Sequence, residues 1–169
     1  MTAFHIRLLS GFAALGLFIP AMAHSQQQVP LSPRAQPRPV AVAETSLIME
    51  GIAHANFKGL ERMLKEKPED TEAWTFARGQ ALLIAETGNL LLMRPPKNQG
   101  QDAWNKNAVE LREAATRLGR SVASRDLNEC RARLIEVANS CNKCHTSFQV
   151  KTRLTPFQKE GKAPAIPQK

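Results

Sequence analysis

The chain has 169 residues, 43% of them hydrophobic, and a formal net charge of +8 at pH 7. This length suits one domain with a substantial core. The basic residues are scattered, Tyr is absent, and Phe and Trp are few, which argues against a nucleic-acid-binding surface. No nucleophile with an adjacent base and no phosphate-binding loop can be identified, so an enzyme is not predicted.

The first 23 residues have the pattern of a secretory signal peptide. The stretch 8–23 is almost wholly apolar and ends in Ala21-Met22-Ala23, an A-x-A cleavage pattern. We therefore expect cleavage after Ala23, export to the periplasm and no membrane span in the mature chain. An uncleaved anchor is the alternative, but the apolar run is short for a transmembrane helix. Residues 24–43, rich in Gln and Pro, predict a disordered linker.

Four helices are predicted next, over 44–67, 68–93, 101–125 and from Asp126 onward, where Asp126 is the expected N-cap. In the first helix, one face is apolar at helical spacing. That face contains Met49, Ile52, Ala53, Asn56, Leu60, Met63 and Leu64. The opposite face, expected to be solvated, carries Glu50, His54, Lys58, Glu61 and Lys65. No strand pattern occurs, so we expect an all-α, up-down-up-down four-helix bundle over 44–156, followed by a flexible basic tail at 157–169.

The last helix carries Cys141-Asn142-Lys143-Cys144-His145, which is the C-x-x-C-H attachment pattern of a c-type haem. Residues three and four apart share a helix face, so both thiols can reach one porphyrin edge while His145 becomes the axial ligand. A zinc half-site or a redox dithiol is the alternative. The chain offers no second C-x-x-C and no βαβ pattern to support either one. Cys130 is left over and is expected to be a buried, inert thiol, with an intermolecular disulfide as the alternative.

The predicted topology brings the end of the fourth helix close to the start of the first, the end of the second and the start of the third. The residues expected around the haem are therefore Met49, Ile52, Ala53, Leu91, Leu92, Met93 and Trp104. Met49 is the expected sixth iron ligand and Met93 the second candidate, while core packing remains the alternative for each. Met63 lies about 20 Å further along the helix. The candidates for propionate pairing are Arg94, Lys97, Lys143 and Lys151, each of which has an equally reasonable solvent-facing interpretation.

These features resemble the class II c-type cytochromes, the cytochrome c-prime family. The resemblance depends on an exported four-helix chain with C-x-x-C-H in its last helix. Residues 137–148, including Phe148 three positions after the His, are similar to the haem helix of that family, and residues 49–52 to its iron-facing segment. The resemblance covers 44–156, but only the haem helix is specific. It implies that Phe148 contacts the haem and that the iron is either Met-ligated and low-spin, or five-coordinate and open to small gases.

We therefore expect a periplasmic protein with one covalent haem c at Cys141, Cys144 and His145, transferring single electrons with Met49 on the iron. A gas-binding cytochrome of the same fold and a haem-free helical interaction module are the alternatives. The basic surface is expected to dock acidic redox partner proteins. The resemblance also implies a possible homodimer through the first two helices.

Overall fold

The computed structural model describes residues 38–97 and 100–158. The predicted signal peptide, the linker up to residue 37 and the tail from residue 159 lie outside the described residues. Residues 38–43, the last part of the predicted linker, are non-helical and exposed.

Helices account for the secondary structure of the described part of the chain. They are α1 (Thr45–Ile48), a π-helical turn (Met49–His54), α2 (Ala55–Glu66), α3 (Thr71–Leu92), α4 (Gln101–Ser124) and α5 (Leu127–Ser147). The first three follow one another without a break, so four helical rods result. The all-α prediction is thereby confirmed for these residues, whereas the up-and-down order of the helices stays a prediction.

The helix ends follow from local chemistry. Asp126 is the N-cap of α5, as predicted, because its Oδ1 accepts a hydrogen bond from the Glu129 amide at 3.0 Å. Asp70 caps α3 in the same way, accepting from the Ala73 amide at 2.7 Å. Between α4 and α5, Arg125 adopts a left-handed conformation with φ of 59° and is the C-cap of α4, so only Arg125 and Asp126 separate the two helices.

The core forms where α3 packs against α2 and α4, and α4 packs against α5. Fully buried side chains from all four rods meet there. They include Leu60, Leu64, Ile84, Leu118, Val122, Leu134 and Val137. Cys130 is fully buried among them, so the expectation of a buried thiol is confirmed. No helix of the described residues is long and apolar enough to cross a membrane.

The first rod departs from its predicted pattern in two places. Glu61, expected on the solvated face, is only 4% exposed, while Phe57 is buried although the predicted apolar face omitted it. The π-helical turn is one reason, because a π-helix closes i→i+5 bonds and so turns through a smaller angle per residue than an α-helix. Residues on its two sides are therefore rotated relative to a continuous 3.6-residue pattern.

After α5 the chain folds back and packs against the bundle. Leu154 and Phe157 are partly buried and pack against the core. The folded part therefore extends to Phe157, one residue beyond the predicted boundary. The amide of Phe157 donates to Glu61 Oε1 at 2.8 Å, which explains why this carboxylate lies inside.

Candidate cofactor-binding site

A cavity of about 400 Å³ opens beside the last turns of α5. Its volume falls within the roughly 300–1,000 Å³ typical of small-molecule and cofactor sites. Every helical rod contributes to its lining, which is predominantly apolar. Phe57, Ile84, Leu91 and Leu111 supply the aliphatic and aromatic surface.

Both cysteines of the C-x-x-C-H motif line this cavity. They lie one helical turn apart in α5, which is the spacing that places two side chains on one face. Burial raises the pKa of the Cys141 thiol to about 12, and it also raises the pKa of Cys144. A redox dithiol or thiolate site requires the opposite shift, so the surroundings do not favour the dithiol interpretation.

His145 lines the same cavity, and one of its ring nitrogens is already engaged. Its Nδ1 lies 2.9 Å from the carbonyl oxygen of Thr152. Because a carbonyl oxygen only accepts, Nδ1 carries the proton, and in the neutral imidazole Nε2 keeps a free lone pair. This arrangement is typical of metal-binding histidines, whose second nitrogen donates to a carbonyl or carboxylate.

Met49 and Ala53, both predicted to lie beside the haem, line the cavity from the π-helical turn. His54 lines it as well, whereas we had expected His54 to lie on the face opposite Met49. The π-helical turn explains this correction, because residues five apart approach the same side when the hydrogen bonds run i→i+5. His54 Nδ1 lies 3.5 Å from Glu50 Oε2, and its side chain is 46% exposed.

Trp104 and Phe148 occupy a further part of the cavity lining. The two rings meet edge to face, with centroids 5.1 Å apart. Gly100, the N-cap of α4, lies beside them with φ of 81°, and a Cβ built there would come 3.3 Å from Phe148 Cε1. Glycine at this position satisfies both the left-handed backbone and the close approach of the ring.

Two polar groups in the lining have no protein partner among the described residues. They are Asn107 Oδ1 and Ser140 Oγ, both buried. Asn107 is only 4% exposed. A buried polar atom without a partner is costly, so these two atoms are available to form hydrogen bonds with a group bound in the cavity. Asn107 lies three residues after Trp104 and four before Leu111, a spacing that would have flagged it in the sequence.

Some residues predicted around the haem do not line the cavity. Ile52, Leu92 and Met93 are absent from its lining. Each is partly buried and lies within two residues of one that does line the cavity. Met63 is also absent and contributes instead to a separate groove with Glu66 and Pro68. None of the four basic residues considered for propionate pairing lines the cavity. Arg94 donates to the carbonyls of Ala43 and Leu90, and Lys143 pairs with Glu110 at 2.6 Å.

The cavity lining also includes the segment that follows α5, for which the sequence predicts no contact. Val150, Thr152 and Leu154 all line the cavity, as do Thr45 and Ser46 at the start of the first rod. The segment has no helical period, so its sequence carries no sign of the contact.

The donor set at the cavity fits a c-type haem and does not fit a metal ion held by protein side chains alone. Nowhere in the described ranges do three or more His, Cys, Asp and Glu side chains gather closely enough to hold a metal ion. Structural zinc sites need four such ligands and catalytic ones three. A porphyrin supplies four nitrogen ligands itself, so one imidazole and two thioether attachment points suffice for haem iron.

No protein-family profile, curated protein sequence or solved structure matches the chain. The functional interpretation therefore depends on the residues of this chain and on their arrangement around the cavity.

Proposed function

We propose that the protein is a c-type cytochrome that holds one covalent haem c and carries single electrons in the periplasm. One observation carries the proposal: Cys141, Cys144, His145 and Met49, the residues predicted to attach the haem and to bind its iron, line a single cavity. The resemblance of residues 137–148 to the haem helix of the cytochrome c-prime family supports the same conclusion, as does the all-helical fold.

Cys141 and Cys144 would anchor the group. Each would hold the group through a thioether bond, formed by addition of the thiol S–H across a vinyl double bond without loss of any atom. The lining residues Phe57, Leu91 and Leu111 would exclude water from its faces. When bound, the haem supplies a one-electron iron couple whose potential depends on its axial ligands and surroundings.

His145 would be the proximal ligand through Nε2. Its tautomer is fixed beforehand by the hydrogen bond from Nδ1–H to the Thr152 carbonyl, which also makes the imidazole a better donor. Met49 would supply the sixth ligand, because its thioether belongs to the lining contributed by the π-helical turn. A thioether on haem iron raises the reduction potential, which suits an electron carrier.

Two measurements on exported protein test this function. Intact mass should exceed that of the processed chain by roughly 600 Da, the mass of one haem. The optical spectrum of the reduced protein should be low-spin and unchanged by carbon monoxide. An unmodified mass would instead support a haem-free helical interaction module. A high-spin spectrum that shifts with carbon monoxide would refute the Met-ligated carrier.

A second candidate function is the binding of a small gas such as NO or CO by the same haem. It is favoured by Asn107, whose side chain lines the cavity and whose buried Oδ1 has no partner among the described residues. The Oδ1 atom can only accept, so a hydrogen bond donated to a polar diatomic ligand would come from the Nδ2 group of the same amide. Replacing Asn107 with Leu would then accelerate the release of the gas. If the protein is an electron carrier, the same replacement would leave its optical spectrum unchanged.

The proposed partners are acidic redox proteins, attracted by the net charge of +8. A homodimer through the first two rods is a further proposal. Phe76 and Leu83 support it, because both are exposed on α3, at 62% and 48%. The redox partners should dissociate as salt is raised, while the dimer should not, because apolar contacts are not screened.

A further inference from the structure

The segment 150–157, which we call the C-terminal strap, runs along the cavity directly after α5. Val150, Thr152 and Leu154 belong to the cavity lining. At its start, the Val150 amide donates to the carbonyl oxygen of His145 at 2.7 Å. The strap thus begins attached to the residue that the proposed function makes the iron ligand.

Asn142, one of the two residues between the motif cysteines, holds the middle of the strap. Its Nδ2 donates to the Leu154 carbonyl at 2.8 Å, and its Oδ1 accepts from the Leu154 amide at 2.8 Å. Both polar groups of one backbone residue are therefore paired with one side chain. This two-point pairing fixes the orientation of Leu154 as well as its distance, since either bond alone would allow rotation.

Glu61 of α2 holds the end of the strap. Its Oε1 accepts from the Phe157 amide at 2.8 Å, across 96 residues of sequence. The carboxylate is buried, and Lys58 and Lys65 pair with it at 3.0 and 3.6 Å. A charged acceptor makes this hydrogen bond stronger than a neutral one.

Thr152 lies between these attachments, two residues after Val150 and two before Leu154. Its carbonyl oxygen accepts from His145 Nδ1, and also from Arg153 Nη1 at 2.8 Å. Thr152 contributes no side-chain bond to the helix among the described contacts, and the Arg153 guanidinium that contacts its carbonyl also reaches Thr146 Oγ1 of α5 at 3.3 Å. The position of the carbonyl therefore depends on Arg153 and on the residues fixed on either side of it. Asn142 is therefore in a position to act on His145 through the strap.

We propose that Asn142 is a positioning residue for His145: by clamping Leu154 it holds the Thr152 carbonyl against Nδ1, which fixes the imidazole tautomer and strengthens the imidazole as a ligand. The effect on iron rests on the proposed function, but the effect on the ring proton does not. The amide of Asn142 is hydrogen-bonded to Leu154 and not to the imidazole, so its influence travels through two residues of strap backbone.

The experiment compares Asn142→Leu with Asn139→Leu in the exported full-length chain. Asn139 lies three residues earlier on the same helix and is exposed, which makes it a matched control for the change from Asn to Leu. Intact mass is measured first, and by itself it decides whether haem is attached. The ring Nδ1–H of His145 is then followed by nuclear magnetic resonance, in the ferrous state if haem is present.

The proposal predicts a sharp Nδ1–H signal in the parent protein and in Asn139→Leu, and its loss by solvent exchange in Asn142→Leu. With haem attached, the midpoint potential of Asn142→Leu should also shift upward, because a weaker imidazole donor stabilises ferric iron less. A merely structural role for Asn142 would lower stability but leave both readouts unchanged in the folded protein.

A second variant guards against misfolding. Asn142→Asp keeps an acceptor for the Leu154 amide and loses the donor to its carbonyl, so it should broaden the ring signal and raise the potential by a smaller amount. A signal retained in every Asn142 variant, or lost equally in Asn139→Leu, overturns the proposal. An unmodified mass combined with loss of the signal in Asn142→Leu would refute the haem function and leave the positioning role intact.

Discussion

Trp104 and Phe148 meet edge to face, with ring centroids 5.1 Å apart and an angle of 81° between their planes. The pair joins the start of α4 to the residue that ends α5. Trp104 Nε1 also donates to the carbonyl of Leu91, near the end of α3, at 2.8 Å. Three helices are thus tied together at the edge of the cavity.

Trp104→Phe should destabilise the protein, because the Leu91 carbonyl loses its indole donor while the aromatic contact is largely kept. The expected loss is about 1 kcal/mol in the free energy of unfolding, the usual net value of one hydrogen bond. Denaturant unfolding followed by circular dichroism measures it. No change in the unfolding midpoint would show that the indole hydrogen bond contributes nothing.

Met49→Leu should convert the reduced protein from a low-spin to a high-spin spectrum that responds to carbon monoxide, since Leu lacks the sulfur. The exchange nearly conserves volume, so stability should fall by less than about 1.5 kcal/mol. Met63→Leu is the control, because Met63 also packs against the core but does not line the cavity. Equal spectra for the two variants would remove Met49 from the iron.

Replacing Cys141 and Cys144 together with Ser should abolish the added mass of roughly 600 Da, because no thioether can form. Cys130→Ala should retain that mass, since Cys130 is buried away from the cavity.

Burial, together with the charges of Asp126 and Glu129, raises the pKa of Cys130 to about 11. Its thiol should accordingly resist alkylation at neutral pH until the protein is unfolded.

Glu61 should make the protein sensitive to acid. Burial by itself raises the pKa of this carboxyl, but the Phe157 amide and the charges of Lys58 and Lys65 together bring it below its ordinary value of 4.5. A lowered pKa means that folding favours the carboxylate, so its contribution is fully present above pH 4.5 and is lost as the pH falls through the folded-state pKa.

Measuring the free energy of unfolding against pH checks this expectation. Glu61→Gln should be less stable than the parent near pH 7 and should lose less stability on acidification. Glu66→Gln, an exposed position on the same helix, serves as the control and should follow the parent curve. Parallel curves for Glu61→Gln and the parent would exclude the carboxylate as the acid-sensitive group.

Gly88 and Gly79 of α3 should respond to alanine in opposite directions. A Cβ at Gly88 would lie 2.6 Å from the Ala108 carbonyl oxygen in α4, so the helices must separate, at a cost of about 1–3 kcal/mol. At Gly79 a Cβ meets nothing within 4 Å, so Ala should stabilise the helix by about 0.5–1 kcal/mol. Thermal unfolding of both variants tests the contrast, and destabilisation by Gly79→Ala would contradict it.

Much of the arrangement could be predicted because it is local. Residues three and four apart on a helix share a face, so the spacing of Cys141, Cys144 and His145 already required them to project together. The N-cap role of Asp126 is equally local, since it needs only the amide of Glu129. The burial of Cys130 followed from the same helical period.

Other features depend on contacts that no periodic pattern contains. The predicted solvation of Glu61 was wrong because its partner, the Phe157 amide, is 96 residues away in sequence. His54 was misplaced because counting at 3.6 residues per turn fails across a π-helical turn. The sequence alone thus determined an all-helical chain with the C-x-x-C-H residues on one face. Only the tertiary structure decided what surrounds that face, because the π-helical turn departs from the 3.6-residue period and the C-terminal strap is held by hydrogen bonds to residues distant in sequence.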